Sequence, residues 1–146
     1  MLKLSEKLKN KNLTIAVAES CTSGLLASTL TNIQGSSNYF MGGIIVYNNL
    51  LKKTFLNIPK NTIIYSKNCT NLMNIGLQKQ IKANIYISVS GYLEPINLED
   101  SGVVFYSIFY KNHNYSFRLQ CYENLNREKQ KEFVVNDIID KLNSIL

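Results

Sequence analysis

From Asn12 to Leu51 the sequence carries a single charged side chain, Glu19. Taking an unpaired charge out of water is costly, so a stretch this long with one charge reads as buried core plus pocket. Glu19 is then either a buried carboxylate held by backbone N–H groups or a functional one. The rest of the charge is arranged around that stretch. Residues 1–73 hold eight Lys and two Glu, a net +6, whereas residues 74–146 hold six Lys, two Arg and eight acids and sum to zero. Four lysines precede Asn12 (Lys3, Lys7, Lys9, Lys11) and four follow Leu51 (Lys52, Lys53, Lys60, Lys67). The basic surplus thus flanks the apolar stretch and reads as attraction for a small anionic ligand. Nucleic-acid binding, which a pI of about 9.2 invites, finds no motif to support it.

The local patterning is that of an α/β chain. Leu4 and Leu8 among lysines predict a short amphipathic helix ending near Asn10–Asn12. Leu13–Ala18 is a short apolar run with the character of a buried strand. It is followed by the polar turn Ser20-Cys21-Thr22-Ser23-Gly24 and a helix over Leu25–Thr31. Residues 34–38 form a loop by composition, and Gly43–Tyr47 a second strand. Asn48-Asn49 caps a short helix through Phe55, and Ser66–Lys82 reads as a longer helix with Leu72, Met73, Gly76 and Leu77 near one face. Ile85–Ser90 is a strand ending at Gly91. Val103–Tyr110 and Tyr115–Cys121 form a hairpin joined by Lys111-Asn112-His113-Asn114, and Arg127–Leu146 a last helix with Val134, Ile138, Leu142 and Ile145 on one stripe. The expected architecture is one three-layer α/β domain over residues 1–146: a mixed sheet with a C-terminal antiparallel hairpin and helices on both faces.

Several chemistries are disfavoured by residue inventory. The sole histidine, His113, falls in the expected hairpin turn, far from the polar strand-to-helix loops where a catalytic histidine is expected. Cys21, Cys69 and Cys121 are odd in number, widely spaced and never in a CxxC pair, which suggests neither a disulfide framework nor a zinc site. No metal and no cofactor are expected. No apolar run reaches the length of a membrane helix and the N-terminus lacks a signal-peptide core, so the protein is expected to be cytoplasmic with no membrane partner. A hydrolase without a usable histidine activates its nucleophile another way. A desolvated lysine with a lowered pKa, often assisted by a tyrosine, deprotonates a serine. Ser36, Ser37, Tyr47 and Lys52 lie within one loop–strand–helix unit.

Three blocks, in order and closely spaced, resemble the CinA C-terminal domain family, which includes nicotinamide mononucleotide (NMN) deamidases. They are Ala18-Glu19-Ser20-Cys21-Thr22-Ser23-Gly24, Gly35-Ser36-Ser37-Asn38-Tyr39-Phe40-Met41-Gly42-Gly43, and Tyr47-Asn48-Asn49 with Lys52. The resemblance runs from about Leu4 to Leu142. It implies an amidohydrolase converting NMN to nicotinic acid mononucleotide and ammonia through an acyl-enzyme, with Ser37 as nucleophile, Lys52 as general base and Tyr47 as their partner. It further implies substrate contacts from Glu19, Ser20, Thr22, Gly35, Gly42, Gly43, Asn49, Ser90 and Arg127. Backbone N–H groups near the Ser37 loop or Gly42-Gly43 are the expected oxyanion donors, and Arg127 with helix N-termini the expected phosphate contacts.

The match breaks in two places. Where the family continues from Ser90-Gly91 into a glycine-rich loop, this chain has Tyr92-Leu93-Glu94, and three acids (Glu94, Glu99, Asp100) follow the strand. Larger side chains there would narrow or repaint one wall of a pocket. Before the last helix the family's G-[DN]-R turn is replaced by Asn124-Leu125-Asn126-Arg127. A divergent, catalytically inactive member that binds a nucleotide or a protein is therefore the alternative expectation. The plentiful Tyr and Phe would suit a homodimer surface.

Overall fold

The computed structural model describes residues 1–93 and 101–146. Glu94, Glu99 and Asp100, the three acids noted above, lie outside the described residues. Five helices, α1 (Leu2–Asn10), α2 (Leu25–Thr31), α3 (Asn49–Leu56), α4 (Lys67–Gln80) and α5 (Arg127–Ile145), surround a five-stranded sheet. Its strands are β1 (Ile15–Glu19), β2 (Phe40–Ile45), β3 (Ile85–Tyr92), β4 (Val103–Tyr110) and β5 (His113–Gln120), in the order β2-β1-β3-β4-β5. The pairs β1·β2 and β1·β3 are parallel, and β3·β4 and β4·β5 antiparallel. The chain is thus a mixed α/β sheet between helices on both faces, as the alternation of patterns predicts.

The charge-poor stretch occupies the centre. All five residues of β1 are buried, because a parallel strand flanked on both sides and covered on both faces meets no water. Alternate side chains serve different layers. Ile15 and Val17 pack with Leu4, Leu8, Leu26, Leu30, Val134, Ile138 and Leu142 from α1, α2 and α5. Ala16 and Ala18 pack with Leu56, Cys69, Met73 and Leu77 from α3 and α4. On this second side the helices come close together. A Cβ at Gly76 would lie 2.3 Å from the Leu56 carbonyl oxygen, so only glycine fits where α4 crosses the end of α3.

Two boundaries differ from the sequence reading. The second strand begins at Phe40 rather than Gly43, since Ile15 pairs with Phe40 and puts Gly42-Gly43 inside the ladder. The hairpin is tighter than a four-residue connection. Lys111 and Asn112 both adopt left-handed φ (49° and 60°), the geometry of a two-residue turn whose twist matches the flanking strands. His113 consequently starts β5, exposed and edge-on to Tyr115.

Much of the N-terminal basic charge is spent on the fold. Lys7 Nζ donates to the Asn143 carbonyl (2.5 Å) and Lys11 Nζ to that of Leu146 at the C-terminal end of α5, where cations suit unpaired carbonyls. Lys9 Nζ donates to the Gln34 carbonyl at 2.9 Å. No described helix is long and apolar enough to cross a membrane.

Candidate functional site

The parallel strands β1, β2 and β3 all point their C-terminal ends the same way, and the chain leaves that edge through three different loops. A cavity of about 400 Å³ lies there, the usual place for a ligand in an open α/β sheet. Ser20 and Cys21 follow β1, Tyr47 follows β2, and Gly91, Tyr92 and Leu93 end β3. Asn49 and Lys52 from α3, Tyr65 before α4 and Arg127 at the start of α5 complete the lining.

Lys52 is placed by local helix geometry. Asn48 caps α3 by accepting from Leu50 N–H at 2.8 Å, which fixes the entry of the helix. Four residues apart, Lys52 and Leu56 are the buried positions of α3, so a lysine occupies a core-facing site and is 1% exposed. Its ammonium donates to Asn49 Oδ1 (3.1 Å) and to the Tyr47 carbonyl (3.3 Å). Among the described residues no carboxylate lies within ion-pair distance; the ion pair found there is Lys129–Glu132, on the exposed side of α5. Loss of hydration pulls the Lys52 pKa below the ordinary lysine value. The nearby thiols of Cys69 and Cys21 would oppose this only as thiolates, and burial pushes them up to about 11 and about 12. At neutral pH they are uncharged and give Lys52 no counter-charge.

Around this lysine the polar groups converge. Arg127 Nη2 donates to the Tyr47 hydroxyl at 2.6 Å, tying the start of α5 to the end of β2 across the mouth. Tyr65 and Tyr92 stack with centroids 5.9 Å apart and form the opposite wall. Ser20 is buried at the end of β1, and its hydroxyl has no hydrogen-bond partner among the described residues. The described residues contain no group of three or more His, Cys, Asp and Glu side chains able to hold a metal.

Of the residues singled out in the sequence, Ser20, Tyr47, Asn49, Lys52 and Arg127 come together in this cavity. Glu19 and Thr22 are adjacent but structural. The Glu19 carboxylate, 1% exposed, accepts from Thr22 Oγ1 (2.6 Å) and from the N–H groups of Gly24 (3.0 Å), Leu26 (3.1 Å) and Ala27 (2.8 Å). It saturates the N-terminus of α2, which is therefore closed to a ligand phosphate. Ser90 is fully buried and donates to the Ile64 carbonyl at 3.3 Å. Gly42 and Gly43 sit within β2 rather than at its C-terminal end, so they do not serve as oxyanion donors for the cavity of their own chain. Gly35 and Ser37 lie elsewhere altogether. Ser36–Asn38 form one turn of 3-10 helix immediately before β2, whereas Tyr47 and Lys52 come after it. A six-residue strand separates them, about 20 Å at roughly 3.3 Å per residue. A nucleophilic Ser37 beside Lys52 within one chain is thus corrected: the strand holds them at opposite edges of the sheet. Tyr65 was not legible as a site residue, because nothing in its neighbourhood signals that the segment before α4 returns to the cavity.

A model of the CinA C-terminal domain family matches residues 1–146. Protein MG115 of Mycoplasma genitalium is 36% identical over 149 aligned positions, covering 98% of this chain and 94% of that protein. A CinA-like protein of Thermotoga neapolitana is 38% identical over 114 positions, covering 73% of this chain but 28% of its own. Among solved structures, the competence damage-inducible protein A of Klebsiella pneumoniae superposes with a TM-score of 0.91 at 23% identity, covering 98% of this chain and 92% of that one. That likeness speaks for the fold.

Proposed function

The chain belongs to the CinA C-terminal domain family, which includes amidohydrolases, and from that premise we propose that it deamidates NMN to nicotinic acid mononucleotide and ammonia, with Lys52 as general base. One observation carries the reading: a lysine ammonium buried without a counter-ion among the described residues, in a cavity that also holds a serine, a tyrosine–arginine pair and an asparagine. A lysine in such surroundings gives up its proton more readily than an exposed one, and its neutral form accepts a proton.

The reaction then runs as an acyl transfer. A serine hydroxyl gives its proton to neutral Lys52 Nζ as its oxygen bonds to the carboxamide carbon, and the carbonyl electrons move onto oxygen. Collapse of this intermediate breaks the C–N bond, and the departing nitrogen takes the proton from Lys52 and leaves as ammonia. Water, losing its proton to Lys52, opens the acyl-enzyme ester and restores the serine. Arg127 supplies a fixed positive charge for the nucleotide phosphate, and its bond to Tyr47 holds that side chain at the rim.

Purified protein incubated with NMN is expected to release ammonia and nicotinic acid mononucleotide, with release lost in Lys52→Ala. No release at high protein concentration would overturn the reading. It would favour a nucleotide- or protein-binding module, for which the Tyr65–Tyr92 stack is the one specific observation, because it occupies a wall where the family's glycines leave room.

A further inference from the structure

The geometry points to a second ligand site, on the far side of the Tyr65–Tyr92 wall from the substrate cavity, that holds a small aromatic carboxylate on Arg118. This goes beyond the amidase reading and stands without it.

The site arises because the sheet runs on past the helix that covers it. Residues paired on neighbouring strands point to the same face, so Ser90, Phe105 and Arg118, in register across β3, β4 and β5, share one face. Near the start of α4, Asn71 Oδ1 accepts from the Ser116 hydroxyl at 2.7 Å, two residues short of Arg118. Beyond that point the segment leading into α4 takes over. Ser90 donates to the Ile64 carbonyl at 3.3 Å and so holds this segment over the sheet. Between the two lies a cavity of about 190 Å³, lined by Ile63, Tyr65, Val103, Phe105 and Arg118.

Size and lining select the ligand. An apolar cavity of about 150 Å³ holds a benzene, whereas pockets for drug-sized molecules begin near roughly 300 Å³. The space therefore takes one ring with one small substituent, and a nucleotide is too large for it. Four of the five lining residues are apolar or aromatic, and the rings of Tyr65 and Phe105 suit an aromatic guest. The charge among them is Arg118, whose guanidinium has no hydrogen bond, ion pair or ring contact among the described residues. Its planar fork matches a carboxylate through two parallel hydrogen bonds. The chain's other arginine, Arg127, is bonded to Tyr47 in the substrate cavity, so the two arginines serve separate sites. Tyr65 lines both cavities, and a guest in the smaller one packs against the residue that walls the larger.

Benzoate is the probe, titrated into the wild-type protein by calorimetry and by NMR of the Arg118 side chain and the Tyr65 ring. Saturable binding is expected, with shifts at both residues. Benzyl alcohol, which lacks the charge, and cyclohexanecarboxylate, which lacks the aromatic ring, are each expected to bind about tenfold more weakly or worse. Arg118→Gln should weaken benzoate by about tenfold or more, as should Ile63→Glu, which sets a competing carboxylate in the same lining. Both positions are exposed, so both variants keep the fold. Arg127→Gln should leave benzoate affinity unchanged. Absence of saturable binding, equal binding of either analogue, or an Arg118→Gln protein that binds as the wild type does would overturn the site. Loss of binding in Arg127→Gln instead would overturn it too, by placing benzoate in the substrate cavity. None of these readings needs turnover, so a protein that binds benzoate through Arg118 and leaves NMN intact refutes the amidase reading alone.

Discussion

The two ends of β2 share one uncharged segment but do opposite things with polarity. At the end that precedes the strand, polar groups are used locally: Ser36 closes a turn and Tyr39 donates to the Leu30 carbonyl at 2.6 Å. At the end that follows it, the chain places a lysine on the core-facing stripe of a helix and leaves it without a carboxylate among the described residues. A fold tolerates the first arrangement because both of these groups find a partner. It tolerates the second at a cost in stability, and natural proteins retain such costs where a site needs them.

Substitutions at either end test that contrast. The largest effect expected is on turnover: Lys52→Ala lowers ammonia release from NMN roughly 1,000-fold, within the range for loss of a general base, with the circular dichroism spectrum unchanged. Next comes Glu19→Ala, which strands one hydroxyl and three N–H donors at α2 and should cost about 3 kcal/mol of unfolding free energy in a denaturant titration. An unchanged midpoint would show that Glu19 does not anchor the helix.

Smaller and opposite in sign is Lys52→Met. Because the folded-state pKa of Lys52 is depressed, the unfolded chain binds more protons than the native one, so wild-type stability rises with pH towards 10.5 and is lowest once pH falls below the folded pKa. Lys52→Met should remove this dependence and, near pH 7, raise stability by about 1 kcal/mol; a melting temperature that falls instead would contradict the cost assigned to the buried ammonium. The smallest effect belongs to the other end. Gly35 holds φ 79°, and Gly35→Ala should cost about 1 kcal/mol for forcing a Cβ into the left-handed region.

Much of this was legible in the sequence. The helix and strand patterns were readable because caps and apolar spacing agree, as at Asn48 and Ser66, each of which accepts from the first turn of its helix. The one-charge stretch located the centre of the fold and drew attention to Glu19, whose saturated carboxylate is one of the two alternatives the residues allowed. The site was half legible. Lys52, Tyr47, Asn49, Ser20 and Arg127 converge, yet the linear proximity of Ser37 to Lys52 misled, since spacing along a chain does not reveal that an extended strand lies between two motifs. The hairpin was read two residues too long because Lys111 is an unusual residue for a left-handed turn position.

The proposed amidase reaction turns on the protonation of one lysine. Its most direct test is to follow the Lys52 side-chain resonance by NMR across a pH titration, assigned through Lys52→Met, alongside the pH profile of kcat/KM for NMN. Under the amidase reading, Lys52 loses its proton below the ordinary lysine range and activity rises with the same midpoint. A Lys52 that titrates with the exposed lysines, or an activity that rises at a midpoint unrelated to it, would contradict it.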